Sequence, residues 1–364
     1  MRLVSVRLHN VGVFEDTTVQ LADGDADDAT EIRTPRPVTV LFGKGGVGKT
    51  TLLSALAVTR PGHTLSPAPY QLTRSFGGAS SGAADAPAFV VTEWLLGDDD
   101  PERPHPLVVA SPNAVLEGEE IDTAGARRRE QALFDRRAQS EGGFVFVGFS
   151  GARWFSRTAN MLSTPDRSVL RYDVRSPASF DDPTRADLTR ETKQVLAYAA
   201  IARALAGERA EYTHLARFDA ALREVVDVLL APFGCTYAGV SPTTLEPEAV
   251  DESGRVIAFE ALPRPARHLV AFGALSLRAL VAAYPRSEAP RACEGVVAID
   301  DVESQQDPAL LRGLIPLLRR ALPNVQWILT TGSSQLAMAC APGELVALRK
   351  TGAKAIEVGE GVLH

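Results

Sequence analysis

Nine consecutive residues near the start of the chain have the types and spacing of a phosphate-binding loop. They fit the pattern Gly-x-x-x-x-Gly-Lys-[Ser/Thr] and follow an apolar run at residues 37–42. Glycines let the main chain turn its N–H groups toward a polyphosphate, and the helix predicted for residues 50–59 adds positive potential at its N-terminus. The candidate nucleotide-binding residues are Gly43, Lys44, Gly45, Gly46, Val47, Gly48, Lys49, Thr50 and Thr51.

Two residues of this loop have separate predicted tasks. We expect the ammonium group of Lys49 to reach the β- and γ-phosphates, and the hydroxyl group of Thr50 to ligate Mg²⁺. The alternative is a glycine-rich turn that matches the pattern by chance, but the apolar strand before it and the helix after it favour a nucleotide site. ATP and Mg²⁺ are therefore the predicted ligands.

Two adjacent carboxylates late in the chain supply the acidic half of such a site. Asp300 and Asp301 come directly after an apolar run at residues 295–299, which places them at the carboxyl edge of a sheet, near the phosphate loop. We expect Asp300 to hold Mg²⁺ directly or through water. Asp301 and Lys49 are the candidate catalytic residues, with Asp301 polarising the attacking water. The alternative is a buried strand that ends in an exposed acidic turn.

Composition and charge limit the class of protein. The chain has 364 residues, 45% of them hydrophobic, which is enough for a substantial core. Its net charge of −7 gives no global field for nucleic acid, although a local basic patch is compatible with nucleic-acid binding. Cys235, Cys293 and Cys340 are far apart and fit a reducing compartment. With no signal peptide and no run of about 18 apolar residues, we expect a cytoplasmic protein without a membrane segment.

The elements that must position these residues alternate between strand and helix. After residue 260 this alternation predicts a mainly parallel sheet with crossover helices. We expect an α/β fold in one domain, residues 1–364, with a helical lobe at about residues 181–231 inserted into a mixed sheet. The predicted helices after the first cover residues 123–139, 182–206, 212–230, 268–284 and 308–321. The predicted strands cover residues 3–8, 17–21, 37–42, 88–96, 106–110, 143–149, 238–240, 255–259, 295–299, 325–331, 345–348 and 353–358.

In order and spacing, these blocks resemble the ABC-type ATPases related to the RecF, SMC and OLD proteins. The early strand pair with Phe14-Glu15-Asp16 resembles the opening of that group, and residues 262–269 sit where its signature loop and helix lie. Residues 300–303 resemble its D-E-P-E segment, and Asp307-Pro308 its D-loop. Residues 325–333 resemble its T-T-H-S switch strand. The resemblance covers nearly the whole chain and implies the P-loop NTPase fold of an ABC-type ATPase head.

The resemblance also implies partners. In that group two heads sandwich ATP, and roles in nucleic-acid maintenance or anti-phage defence are common. We therefore expect a homodimer or a larger assembly that couples its nucleotide state to dimerisation or to a partner. Because the chain contains no visible effector domain, an effector or sensor would be a separate protein.

Three departures from the group's pattern predict slow hydrolysis or none. Pro263, Arg264 and Pro265 replace the Ser-Gly-rich signature, and prolines have no N–H to donate. Asp301 replaces a glutamate, and a displacement of a base by roughly 1 Å can cost on the order of 100-fold in rate. Gly332 replaces the switch histidine. A nucleotide-gated assembly or scaffold protein that holds ATP without turning it over is therefore an alternative.

A second alternative is a partitioning ATPase similar to ParA and MinD. Lys44 matches the extra lysine of their phosphate loop, which reaches across a dimer, but here it is also explained as a tolerated residue in a variable position. That family begins almost directly with the phosphate strand, whereas this chain has about forty residues before it. It also places an acidic switch soon after the first helix, and residues 61–67 contain no acid.

Other residues carry weaker hypotheses. A group of helical arginines could contact a nucleic-acid backbone, but neighbouring acids favour a solvated helix face. Arg153, after a predicted buried strand, could point at phosphate or at a partner, or lie on the surface. Gln71 could be a Q-loop residue that senses Mg²⁺. The helical arginines are Arg127, Arg128, Arg129, Arg136 and Arg137.

Overall fold

A computed structural model describes residues 1–24, 33–64, 88–112, 114, 116, 118–140, 142–160, 186–207, 209–351 and 356–361. Its helices are α1 (Lys49–Val58), α2 (Ile121–Ser140), α3 (Thr189–Ala206), α4 (Thr213–Leu230), α5 (Arg264–Ala283), α6 (Pro308–Leu311), α7 (Leu314–Ala321) and α8 (Ser334–Ala337). Its strands are β1 (Arg2–Val11), β2 (Phe14–Gln20), β3 (Ala22–Asp23), β4 (Thr34–Pro35), β5 (Val38–Phe42), β6 (Thr59–Arg60), β7 (His63–Thr64), β8 (Phe89–Leu95), β9 (Leu107–Ala110), β10 (Phe146–Phe149), β11 (Cys235–Val240), β12 (Pro247–Asp251), β13 (Val256–Ala258), β14 (Gly295–Ile299), β15 (Val325–Thr331), β16 (Leu345–Lys350) and β17 (Ile356–Glu360).

A six-stranded sheet in the order β10-β14-β15-β5-β16-β17 organises the structure. Every neighbouring pair is parallel except the last, β16 with β17, which is antiparallel. The predicted α/β fold with a mixed, mainly parallel sheet is therefore confirmed. Because β5, β14 and β15 run in the same direction, the segments that follow them leave the sheet at one edge.

Apolar side chains cover both faces of this sheet. Val297 and Ile299 belong to a core cluster shared with α4, α5 and α7, whereas Val296 and Ala298 belong to a second cluster shared with α1, β1 and β8. Successive residues of β14 thus pack on opposite faces, as the period of a strand requires. A parallel strand that is buried on both faces has an unbroken apolar sequence. The ends of such a run are visible in the sequence, so the predicted bounds of β14 match the observed ones.

A second, antiparallel sheet in the order β2-β1-β8-β9 packs on the α1 side. The predicted pair of early strands and the predicted hairpin at residues 88–110 are both found in it. Gln326, fully buried in β15, joins the two sheets: its amide group donates to the carbonyl of Leu3 at 2.9 Å and accepts from the N–H of Leu3 at 2.6 Å. This pair satisfies buried main-chain groups of β1 that face the larger sheet.

On the opposite side of the large sheet, helices α3, α4 and α5 pack against one another. They lie beside a three-stranded antiparallel sheet, β11-β12-β13. The sequence predicted the flanking strands of this small sheet but missed its central strand, β12. By length and composition alone α5 could cross a membrane, but 89% of its apolar window is buried inside the protein, as in the core helix of a globular domain.

Two helix predictions are wrong in part. A continuous helix at residues 182–206 is not found, because Trp154 exchanges main-chain hydrogen bonds with Ala186 and Leu188 and holds that segment in a bridge before α3. Residues 181–185 lie outside the described part of the chain. The helix predicted for residues 308–321 is two helices: Pro316 cannot donate to the carbonyl four residues earlier, and Gly313 is the N-cap of α7.

Two glycines inside helices give a stability test with opposite expected signs. A methyl group on Gly273 of α5 would lie 2.4 Å from Leu229 and 2.6 Å from Val225, both buried, whereas one on Gly125 of α2 would meet only Arg129 at 3.4 Å. We expect Gly273→Ala to destabilise the protein by about 1–3 kcal/mol through overpacking. Gly125→Ala should stabilise it by about 0.5–1 kcal/mol through helix propensity. Chemical denaturation measures both, and a stabilising Gly273→Ala would contradict the packing of α5 against α4.

Candidate functional site

The predicted phosphate loop connects β5 to α1, and its main chain needs glycine at several positions. Gly46 and Gly48 have φ values of 81° and 89°, in the left-handed region that glycine adopts without strain. A Cβ atom on Gly43 would lie 2.6 Å from the carbonyl oxygen of Leu348 in β16, so only glycine fits there. The loop therefore wraps around the N-terminus of α1, where free N–H groups and the helix dipole favour an anion.

Lys49, the first residue of α1, folds back over this loop. Its ammonium group donates to the carbonyl of Gly43 at 2.8 Å and to that of Lys44 at 3.2 Å. The charge is thus held beside the loop, in a cleft of about 540 Å³ that is also lined by Thr50, Asp301 and Gly332. Lys44 is exposed, so its own side chain is available to a second molecule.

A chain of hydrogen bonds joins the phosphate loop to the acidic strand. The hydroxyl of Thr50 donates to Oδ2 of Asp300 at 2.7 Å, and the hydroxyl of Thr330 at the end of β15 donates to Oδ1 at 2.6 Å. The Thr330 oxygen also accepts from the N–H of Asp301 at 2.8 Å. The structure therefore brings the two predicted Mg²⁺ ligands, Thr50 and Asp300, into direct contact.

The donor set of Thr50 and Asp300 suits Mg²⁺. This cation prefers oxygen ligands and is usually held by one or two carboxylates together with water and substrate phosphates. Within the described residues, no group of three or more His, Cys, Asp or Glu side chains could hold a metal ion by itself. A site of one hydroxyl and one carboxylate beside a phosphate loop fits a cation that shares its ligands with a nucleotide.

Asp301 lies at the mouth of the cleft in an uncommon backbone conformation. Its φ of 43° is in the left-handed region, where aspartate is tolerated better than most residues. Burial raises the pKa of its carboxyl group, and the charges of Asp300 and Glu303 raise this pKa further, against the opposing charges of Lys49 and Arg153. A carboxylate with a raised pKa is a better proton acceptor, as the predicted role of Asp301 requires.

Sequence reasoning assigned no task to Glu303. One oxygen of its carboxylate accepts from the N–H of Gly332 at 2.7 Å, which ties the segment after β14 to the segment after β15. Glu303 also lines the cleft. Gly332 stands at the position of the expected switch histidine, so in this protein a carboxylate from the neighbouring loop contacts that position. The only sequence signal was that Glu303 is the last residue of the Asp-Asp-Val-Glu segment.

The hypotheses for Arg153 are wrong: its side chain is 2% exposed and faces main-chain carbonyls rather than solvent, the cleft or a partner. Burial lowers the pKa of Arg153 to about 10, and the nearby carboxylates Asp300, Asp301 and Glu303 oppose that decrease. The group therefore stays cationic at neutral pH. Gln71, the other residue considered in this connection, lies outside the described residues.

The arginines of α2 are engaged in part with acids. Arg127 pairs with Glu119 at 2.8 Å, and Arg137 pairs with Asp100 at 3.1 Å. Because both arginines are held by acids and Arg127 is only 9% exposed, these pairs argue against a stripe of arginines reserved for nucleic acid. At the expected signature, Pro263 precedes α5 and Pro265 lies in its first turn, where a missing N–H breaks no helical hydrogen bond.

No protein-family model matches this sequence, and no curated protein does. The fold, however, is similar to solved structures of SMC head domains over nearly the whole length of both chains. The SMC head domain from Thermotoga maritima aligns with a TM-score of 0.50 and 14% identity, covering 100% of each chain. An SMC head bound to the C-terminal winged-helix domain of ScpA aligns with a TM-score of 0.53 and 15% identity, covering 99% of this chain and 97% of that one.

A third neighbour is an SMC head with an extended coiled coil, bound to the C-terminal domain of ScpA and derived from Pyrococcus furiosus. It aligns with a TM-score of 0.50 and 14% identity, covering 98% of this chain and 96% of that one. Identities this low establish the fold and not the activity. The chain has the α/β fold of the SMC head domains, with a mixed sheet and a helical layer.

Proposed function

We propose that this chain is an ABC-type ATPase subunit that binds ATP with Mg²⁺ and hydrolyses it slowly. The observation that carries the proposal is the hydrogen bond from Thr50 to Asp300. A phosphate loop alone supports nucleotide binding, but its contact with the acidic strand supplies the second half of a hydrolytic site. The similarity of the fold to SMC heads supports the same conclusion.

Each residue of the cleft has a separate role in the proposed chemistry. Main-chain N–H groups of the loop hold the phosphates, and Lys49 neutralises charge on the β- and γ-phosphates. Thr50 and Asp300 would hold Mg²⁺, which when bound offsets the negative charge that develops during phosphoryl transfer. Asp301 orients the attacking water and accepts its proton. Slow turnover follows from the short side chain of Asp301 and from the absence of a side chain at Gly332.

We further propose that the nucleotide state is coupled to dimerisation or to a separate effector or sensor protein in the cytoplasm. Two of the similar SMC heads were solved with a ScpA domain bound, so this fold can present a surface to a separate protein. A role in DNA maintenance or anti-phage defence is part of this proposal through the resemblance alone.

Replacing Lys49 with alanine tests the binding step. We expect Lys49→Ala to weaken ATP binding roughly 10- to 100-fold, because a charge-assisted hydrogen bond is worth about 1.5–3 kcal/mol. Lys350→Ala, which removes an exposed lysine of β16, is the matched control and should bind ATP like the wild type. Calorimetry with Mg²⁺-ATP measures all three proteins. A wild-type protein that does not bind ATP would contradict the proposal at its first step.

Replacing Asp301 with asparagine tests the chemical step, because asparagine keeps the shape and the tolerance for a left-handed backbone. We expect Asp301→Asn to reduce kcat for ATP by about 100-fold or more, the usual contribution of a positioned base. The affinity for ATP should stay within about threefold. Asp251→Asn, which changes an aspartate of β12 remote from the cleft, is the control. Steady-state phosphate release measures the rates.

The second candidate function is a nucleotide-gated assembly protein that holds ATP without hydrolysis. The structure favours it through the short Asp301 and the missing side chain at Gly332. In the same experiment, tight ATP binding with turnover no greater than that of Lys49→Ala would support this candidate over the ATPase.

Replacing the exposed Lys44 tests the ParA-like alternative against the proposed ABC-type ATPase. If Lys44 reached a nucleotide across a dimer, Lys44→Ala would abolish ATP-dependent dimerisation and spare ATP binding. We expect instead that Lys44→Ala changes neither property by more than about threefold, since an exposed charge is worth about 0–1 kcal/mol. Light scattering with and without ATP, at matched protein concentration, measures the dimer. Loss of the dimer alone would support the ParA-like reading.

A further inference from the structure

The guanidinium group of Arg153 lies behind the cleft, on the far side of the acidic loop, residues 300–307. It is buried and donates only to main-chain carbonyls among its described hydrogen bonds. Nη1 donates to two carbonyls and Nη2 to three, and four of these five belong to the acidic loop. The contacts are Nη1 to Ser150 at 2.9 Å and Asp300 at 2.7 Å, and Nη2 to Asp301 at 2.9 Å, Ser304 at 3.0 Å and Val302 at 3.3 Å.

This convergence of carbonyls needs a cation. The acidic loop turns tightly enough to place Asp301 at φ 43° and Gln305 at φ 69°, both in the left-handed region. The turn directs successive carbonyl dipoles to one point inside the protein, where they repel one another. The carbonyl of Asp301 also accepts from the N–H of Ser304 at 2.8 Å. A buried guanidinium with several N–H donors satisfies them together, whereas an unpaired buried carbonyl costs about 1–3 kcal/mol.

Arg153 also connects the acidic loop to the helical layer. Its guanidinium carbon lies 5.1 Å from the ring centre of Phe272 in α5. The next residue, Trp154, donates its N–H to the carbonyl of Ala186 at 2.8 Å and accepts from the N–H of Leu188 at 3.0 Å, directly before α3. A shift of α3 or α5 relative to the sheet therefore acts on the same residue that holds the acidic loop.

We propose that Arg153 is the positioning residue of this site: it fixes the acidic loop so that Asp300 meets Thr50 and Asp301 faces the cleft, and it transmits movements of the helical layer to both carboxylates. The proposal rests on the proposed function for its catalytic consequence. The effect of Arg153 on the loop can be measured without turnover.

Amide hydrogen exchange measures the local stability of the acidic loop directly. Three of its N–H groups are hydrogen-bonded: Val302 to the carbonyl of Thr330 at 3.0 Å, Ser304 to that of Asp301 at 2.8 Å and Gln306 to that of Glu303 at 3.0 Å. In nucleotide-free protein we expect Arg153→Gln to speed exchange of peptides covering residues 300–307 by about tenfold or more, because each 1.4 kcal/mol lost from local stability is tenfold. Arg153→Lys, which keeps the cation, should give a smaller increase.

The kinetic arm uses the same variants with Mg²⁺-ATP. Arg153→Gln should lower kcat by about 10- to 100-fold, the effect of a misplacement of the catalytic group by roughly 1 Å. KM for ATP should change by a smaller factor than kcat, because Lys49 and the main chain of the phosphate loop are untouched even where Asp300 shifts. Arg153→Lys should recover part of kcat. This split between kcat and KM, with partial rescue by lysine, is not expected from a general loss of folded protein.

Arg60 provides the matched control. It is 1% exposed, donates to the carbonyl of Ala57 at 3.0 Å and lies over the ring of Phe146 at 5.4 Å, and none of these described contacts is with the acidic loop. Arg60→Lys should lower the unfolding temperature and leave both exchange at residues 300–307 and kcat unchanged. Thermal unfolding of every variant shows that the comparison is made on folded protein.

The outcomes separate the two proposals. Unchanged exchange at residues 300–307 in Arg153→Gln, with normal wild-type turnover, would overturn the role of Arg153 and leave the ATPase proposal intact. Faster exchange in Arg153→Gln, combined with a wild-type protein that does not bind ATP, would overturn the proposed function. The catalytic role of Arg153 would be overturned with it. Faster exchange with unchanged kcat would show that Arg153 braces the loop without positioning the carboxylates, which also overturns the inference.

Discussion

The contact of one carboxylate with two hydroxyls is the interaction on which the rest of the site depends. Asp300 accepts from Thr50 through one oxygen and from Thr330 through the other. The contact is possible only because β5, β14 and β15 are parallel neighbours whose ends meet at one edge. Burial of the sheet on both faces by apolar side chains keeps those ends in register. A change in register would separate the phosphate loop from the acidic loop before it affected either loop itself.

Negative charge is concentrated around this contact, and the fold offsets it from two directions. Three carboxylates, those of Asp300, Asp301 and Glu303, lie within one short segment, and their mutual repulsion contributes to the raised pKa of Asp301. Lys49 opposes this repulsion from the cleft side and Arg153 from the interior. The two cations differ in their surroundings: Lys49 lines the cleft and donates to two carbonyls, whereas Arg153 is buried and all its described hydrogen bonds are to the main chain.

Local sequence patterns were sufficient for the parts of the site that are local in the chain. The phosphate loop is defined by glycines whose backbone angles and close contacts require them. β14 is an apolar run between two acids and β15 is a β-rich run that ends at Gly332, so the limits of both strands were predicted to the residue. The role of Arg153 could not be predicted from the sequence, because most of the carbonyls it binds lie about 150 residues away and converge only when the acidic loop folds. The contact between Glu303 and Gly332 is equally non-local. The break between α6 and α7 could have been predicted from Gly313 and Pro316.

The backbone conformation at position 301 explains the presence of aspartate there better than the loss of a catalytic glutamate does. A left-handed φ of 43° disfavours a longer side chain by about 1–2 kcal/mol, whereas aspartate adopts this region readily. Arg153 stabilises the same turn from behind by binding the carbonyl of Asp301. The aspartate and the buried arginine therefore act on the same turn, Asp301 through its backbone conformation and Arg153 through a hydrogen bond to its carbonyl. A glutamate at this position would gain reach only by straining the turn that directs it toward the cleft.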